Sequence, residues 1–158
     1  MTSRVVDTNV LVVANGRHGT PSVKCRMASI IALREILEKF RMVVDAGGEI
    51  LEEYRRYCHP RGQPGVGDQF FREVLQNYSE KIVRIDLPKR PDGSYVNFPS
   101  DTDLTGFDLS DRKFVAAAVV SGSTVVNSTD SDRLEYKVAL NRNGVFIDFV
   151  CTEEPIDW

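Results

Sequence analysis

The sequence predicts an α/β protein: a three-layer α/β/α sandwich around a parallel, five-stranded sheet, with residues 1–158 forming one domain. Three observations predict it. Short β-branched runs alternate with longer segments whose apolar residues recur every three or four positions, the pattern of strands alternating with amphipathic helices. Two of the runs, Arg4–Asn9 and Arg41–Asp45, end in aspartate-bearing turns. No repeat, low-complexity segment or linker interrupts the alternation.

The first strand is Arg-Val-Val-Asp-Thr-Asn, residues 4–9, and the segment from Val10 to Gly16 continues apolar. Gly16–Pro21 reads as a turn-rich linker. Thr20-Pro21-Ser22 opens a helix with the stripe Val23, Met27, Ile30, Leu33, Leu37 and Phe40, and Lys24, Arg26, Arg34, Glu35, Glu38 and Lys39 on the wet face. Arg41–Asp45 is the second strand, and Ala46-Gly47-Gly48 turns the chain. Glu49–Cys58 is a helix with Ile50, Leu51, Tyr54, Tyr57 and Cys58 on one face. His59–Gly67 is a loop, and Asp68 caps a helix with the stripe Phe71, Val74, Leu75 and Tyr78. Lys81–Leu87 is the third strand. Pro88–Gly106 is the longest irregular stretch, of the kind that serves as a functional flap or is mobile. Leu109–Ser121, Thr124–Asn127, Asp132–Leu140 and Val145–Cys151 complete the alternation as helix, strand, helix and strand, with Asn141–Gly144 as the last turn.

Bulk composition excludes several classes. At 158 residues, 42% hydrophobic and 27% charged, the chain can bury a core and is ordinary for a globular protein. No run is long enough to span a bilayer, and no basic-then-apolar signal opens the chain. Three cysteines, an odd number without C-x-x-C spacing, argue against a disulfide framework and structural zinc, and fit a reducing cytoplasm. A net charge of −3 argues mildly against nucleic acid. It loses force if four carboxylates are committed to a metal, since the rest of the surface is then close to neutral.

The chemistry lies in the carboxylates. In open α/β sheets ligands bind beyond the carboxyl ends of the strands, which makes Asp7 the first candidate; a plain strand-end turn is the competing reading. On the helix from Glu49, at about 100° per residue, Glu52 falls opposite the apolar face. Glu53 falls at its margin, within reach of the sheet edge, and Glu49 is the reserve. Asp111 shares a stripe with Phe114, Val115 and Ala118. It therefore needs either the helix N-terminus, with Asp108 or Ser110 as cap, or a bound cation. Asp130 follows the fourth strand and points to the region of Asp7; Asp132 either joins it or caps the next helix. Oxygen-only ligands suit Mg²⁺ or Mn²⁺ rather than zinc.

These pieces resemble the PIN-domain nucleases. They are Val5-Val6-Asp7-Thr8-Asn9-Val10-Leu11, Glu49-Ile50-Leu51-Glu52-Glu53-Tyr54, Asp111-Arg112-Lys113-Phe114-Val115-Ala116-Ala117-Ala118 and Asn127-Ser128-Thr129-Asp130-Ser131-Asp132, in the family's order. The resemblance puts the family's acidic quartet on Asp7, Glu53, Asp111 and Asp130, its polar residue after the first aspartate on Asn9, and its hydroxyl on Ser128. It implies a parallel α/β/α sandwich and Mg²⁺- or Mn²⁺-dependent endoribonuclease action on single-stranded or structured RNA. As in many small PIN proteins, it also implies a toxin, with an antitoxin protein or a second copy as partner. The chain departs from the pattern in the long loop before Asp111 and across Pro60–Leu87.

Neither histidine is well placed, His18 in a Gly-rich linker and His59 in a Pro-rich loop. Arg55, Arg56, Arg61, Lys89, Arg90, Arg112, Lys113 and Arg133 are basic groups that could track phosphates. Two rivals stand beside this reading. A haloacid-dehalogenase-like or receiver-like phosphoryl-transfer site would want an acid where Asn9 stands and a lysine nearer the fourth strand than Lys137. A silent PIN scaffold would bind RNA or a protein partner without cutting.

Overall fold

The structure, a computed structural model, describes residues 2–17, 21–61, 65–128 and 135–151. Five β-branched segments form one parallel sheet: β1 (Ser3–Val6), β2 (Arg41–Asp45), β3 (Ile82–Ile85), β4 (Thr124–Asn127) and β5 (Ile147–Phe149), in the order β3-β2-β1-β4-β5. The three inner strands carry unbroken apolar runs because they are covered on both faces. Val5, Val6, Val43, Val44 and Val125 have no exposed surface. The edge strands keep only part of their side chains dry. Helices lie on both faces, giving the α/β/α sandwich expected from the alternation.

Seven α-helices are described: α1 (Thr8–Ala14), α2 (Val23–Lys39), α3 (Glu49–Tyr57), α4 (Val66–Gln76), α5 (Tyr78–Lys81), α6 (Arg112–Ser121) and α7 (Lys137–Arg142). Helix α1 starts directly at the end of β1 and takes Thr8 and Asn9, expected in the strand, together with the segment from Val10 that read only as apolar. Six of its seven residues are buried. A helix that is dry all round has no polar face, so its sequence carries no stripe to read.

Helix α2 is where expected, with Ser22 Oγ accepting from Cys25 N at 3.1 Å, but its phase is not. The buried positions are Cys25, Ser29, Leu33 and Ile36, while Val23 and Met27 of the expected stripe are 80% and 51% exposed. Two tethers hold this phase: Ser29 is hydrogen-bonded to Ser128 at 2.7 Å, and Cys25 forms a disulfide with Cys151. That bridge corrects the expectation that the cysteines stay unpaired, and removes the cysteine argument for a reducing compartment. An odd cysteine count conceals a single pair plus one buried thiol, Cys58. The bridge spans 126 residues of sequence, so its loss is expected to destabilise the fold by about 2–4 kcal/mol through unfolded-state entropy. Thermal melts with and without reductant, against the Cys25→Ser/Cys151→Ser pair, check this; a melting point indifferent to both would refute it.

Asp45 caps α3 by accepting from the N–H groups of Glu49 (2.9 Å) and Ile50 (2.8 Å). Helix α4 begins two residues before the expected cap. Asp68 lies in its first turn and accepts from Gly65 N at 3.0 Å, the back-bond half of a capping box, which serves the N–H of the residue before the helix. The stretch Pro88–Gly106, expected to be a functional flap or mobile, is a largely exposed strap tied down at its C-terminal end. Leu104 and Phe107 are buried, the Arg112 guanidinium lies 4.6 Å over the Phe98 ring, and Arg142 reaches Asp101 at 2.5 Å. Arg142 holds the Asp101 carboxyl down at about 2. The helix expected over Leu109–Ser121 is split, a 3₁₀ turn at Leu109–Asp111 leading into α6. No described helix is long and apolar enough to cross a membrane.

Candidate functional site

The chain runs outward from β1 through β2 to β3, then returns to place β4 on the other side of β1. The connections therefore diverge between β1 and β4, and the crevice beyond their carboxyl ends is the place such a sheet offers a ligand. Asp7 stands at that point. Its N–H donates to Val126 O at 2.9 Å, extending the β1–β4 ladder. Its Oδ1 accepts from Asn9 N at 2.9 Å, capping α1. The turn reading of Asp7 is thus true of one oxygen. The carboxylate is only 4% exposed, which a solvated turn aspartate would not be.

Asn9 fastens the two strand ends together. Its Nδ2 donates to Asn127 Oδ1 at 3.3 Å, and its Oδ1 accepts from Ser128 N at 3.1 Å. The Ser128 hydroxyl pairs with Ser29, whose Oγ also donates to Cys25 O at 3.0 Å. Asn9 and Ser128, both singled out in the sequence, are therefore positioning residues that fix the floor of the crevice. Asn127 and Ser29 belong to the same net and were missed. A serine on the buried stripe of α2 was the available signal, had the stripe been phased correctly.

Glu53 arrives from α3. Helical arithmetic separated it correctly from Glu52: Glu53 is 9% exposed, whereas the Glu52 side chain is 63% exposed and pairs with Arg55 at 3.7 Å. Glu53 Oε2 accepts from the Thr8 hydroxyl, beside Asp7. Its Oε1 pairs with Lys113 Nζ at 2.7 Å, and Lys113 also donates to Ser110 O. A chain of polar contacts thus runs from the end of β1 through α3 to the start of α6. Tyr54, one residue on, donates to Val6 O at 2.5 Å. Burial, then the charges of Asp7 and Glu53, push its phenol well above the usual range. Both carboxylates therefore act on one buried hydroxyl.

Asp111 sits half-buried at the N-cap of α6 without accepting a capping hydrogen bond from the helix. The capping geometry belongs instead to Asp108, which is exposed and accepts from Ser110 N at 2.8 Å at the 3₁₀ turn. Phe114, Val115 and Ala118 are buried as expected, so Asp111 heads the face packed on the sheet. Asp130 and Asp132, like Arg133 and His18, lie outside the described residues.

The reserve acid, Glu49, is engaged elsewhere. It takes Lys89 and Tyr95 of the strap as partners. Partial burial raises its pKa, but those hydrogen bonds and the Lys89 and Lys113 charges outweigh it and leave the carboxyl below its ordinary value. Arg112 donates to Thr105 O and Phe107 O and so is structural. Arg56 and Arg61 are exposed. The cleft between α2 and α4, where Arg34, Glu38, Gln69 and Glu73 rim an apolar floor of Ile30, Leu33, Val66 and Phe70, includes none of Asp7, Glu53 and Asp111.

Among the described residues no three His, Cys, Asp or Glu side chains are gathered as a metal-holding group. The donor chemistry of Asp7 and Asp111, carboxylate oxygens, is of the kind that suits a hard divalent cation. Glu53 fits less well, since both its oxygens are already engaged.

No family model matches the chain, and no curated protein matches it. Among solved structures, it is similar to a domain of a functionally unknown protein from Methanocaldococcus jannaschii DSM 2661. The two share 16% identity over 100% of this chain and 98% of that one, with a TM-score of 0.43.

Proposed function

We propose that the protein is a PIN-like, Mg²⁺- or Mn²⁺-dependent endoribonuclease that hydrolyses single-stranded RNA. One observation carries the reading. The polar chain Thr8–Glu53–Lys113–Ser110 ties the residue after Asp7, at the end of β1, to the residue before Asp111, at the start of α6, through the buried Glu53. Burying such groups is costly, and a fold spends that stability where chemistry needs it.

In this reading Asp7 and Asp111, with Asp130, would hold the divalent cation, which supplies polarisation of the phosphate and activation of water for in-line attack. The chain's own residues do the positioning. Asn9 and Ser128 keep the ends of β1 and β4 at fixed separation, and Tyr54 braces the strand end at Val6. Lys89 and Arg90, on the exposed strap, lie on the side of Glu49 and offer positive charge to an approaching backbone. The toxin role, an antitoxin partner, a homodimer and a cytoplasmic location belong to the same proposal and stand on the resemblance alone.

The silent-scaffold reading has one specific observation in its favour: Lys113 already neutralises Glu53. A cleavage assay separates the two. End-labelled single-stranded RNA should be cut internally with Mg²⁺ or Mn²⁺ and left intact with EDTA. Cleavage that survives chelation, or that needs zinc, sinks the assignment, and intact RNA under all metals favours the scaffold.

A further inference from the structure

We propose that Lys113 is the group that contacts the scissile phosphate, and that Glu53 is its positioning residue rather than a metal ligand. The inference rests on the nuclease reading and reassigns one member of the acidic quartet. Glu53 has no idle oxygen: Oε1 meets Lys113 at 2.7 Å and Oε2 meets the Thr8 hydroxyl. A cation bound to this same carboxylate would face the ammonium across it, and like charges at that separation repel strongly in a site sheltered from water.

Lys113 is itself hard to explain as a stabilising residue. It is 8% exposed, and a buried ion pair is seldom more stable than apolar residues of the same volume. It also lies in the first turn of the ten-residue α6, the end where the helix dipole disfavours a positive charge. Yet the chain gives it a built cradle, Glu53 on one side and Ser110 O on the other.

Among the described residues that cradle uses two of the three ammonium donors. The side chain keeps 10% of its surface exposed, so it is not wholly sealed from solvent. It stands two positions after Asp111 and shares Glu53 with Thr8, the neighbour of Asp7. A compact, oriented positive charge there would meet a phosphate brought in by a cation on Asp7 and Asp111, and would stabilise the charge that grows on its non-bridging oxygens. Glu53 acts through it by fixing the ammonium.

The test reads metal binding and cleavage separately, on the full chain. Mn²⁺ half-saturation is taken from thermal-shift titration, and kcat and KM from RNA cleavage, for wild type, Glu53→Gln, Lys113→Met and the double variant Glu53→Gln/Lys113→Met. The double variant leaves no unpaired charge and so covers the case in which a single one fails to fold. The expected result is Mn²⁺ half-saturation within about threefold of wild type in all of them. With it, kcat should fall about a hundredfold in each, no further in the double, while KM changes little. A tenfold or greater weakening of Mn²⁺ binding on Glu53→Gln, or in the double variant, would return Glu53 to the metal. Wild-type cleavage rates in Lys113→Met, or in the double variant, would make the pair merely structural. Wild type that neither cuts RNA nor takes up Mn²⁺ would remove the nuclease reading, and this assignment with it.

Discussion

Asp7→Asn is expected to lower RNA cleavage by at least about a hundredfold, roughly 3 kcal/mol of transition-state stabilisation, without unfolding the protein. Asp7 has two jobs that this substitution separates. As the cap of α1 it accepts from Asn9 N, and asparagine caps a helix about as well as aspartate does. As a charge it can help hold a divalent cation, and the neutral amide does so poorly. Removing a carboxylate that is 4% exposed also relieves a desolvation cost. The variant should therefore melt at the same temperature as wild type or higher in chelator, while cleavage is lost. A marked drop in melting temperature would mean that Asp7 is structural in the main; unchanged cleavage would remove it from the chemistry.

Asp68→Ala should have the largest effect on stability. Asp68 is fully buried and anchors a corner remote from the sheet edge. It pairs with Arg17 at 2.6 Å and accepts from His59 N at 2.7 Å, Gly65 N at 3.0 Å and Asn15 Nδ2 at 3.2 Å. It thereby joins the end of α1, the start of α4 and the loop between α3 and α4. Its removal leaves the N–H donors of Asn15, His59 and Gly65 unsatisfied, at a cost of about 3–5 kcal/mol, whereas the Arg17 side chain, 41% exposed, returns to water. For a domain of this size that lowers the melting temperature by on the order of 10 °C. Glu35→Ala is the control, because its pair with Lys39 at 3.7 Å is exposed and should contribute almost nothing. Equal effects from the two would refute the account of this corner. The neighbouring Cys58 thiol, pushed up to about 12 by burial and then by the Asp68 charge, is a packing group and not a nucleophile.

The strands and their succession along the chain were legible because their signal is local. Arg41–Asp45 and Thr124–Asn127 have in the structure the bounds read from β-branching and flanking turns. The phase of α3 was legible in its first two turns, where Ile50 and Tyr54 define the dry face beside Glu53, but Tyr57 of the expected face is 52% exposed. What failed needed information from across the fold. Helix α1 is buried on all sides and shows no period. Helix α2 turns its serine and cysteine inward because residues 99 and 126 positions away in sequence bond to them. Lys113 looked like one of eight surface cations, and only the fold brings it to Glu53, sixty positions earlier. Asp108 and Ser110 were interchangeable as caps in the sequence, and the 3₁₀ turn gives the role to Asp108, which accepts from Ser110 N.

The central claim is that the carboxylates at the β1–β4 crevice form a divalent-cation site, and a Mn²⁺ titration followed by thermal unfolding tests it without any substrate. A ligand that binds only the folded state raises stability by about 2.7 kcal/mol at a hundred times its dissociation constant. Wild type should therefore melt progressively higher as Mn²⁺ is added, by on the order of 5–10 °C near saturation. Asp7→Asn should gain far less at the same concentrations. A wild type that ignores Mn²⁺, or an Asp7→Asn variant that responds as wild type does, would contradict the account.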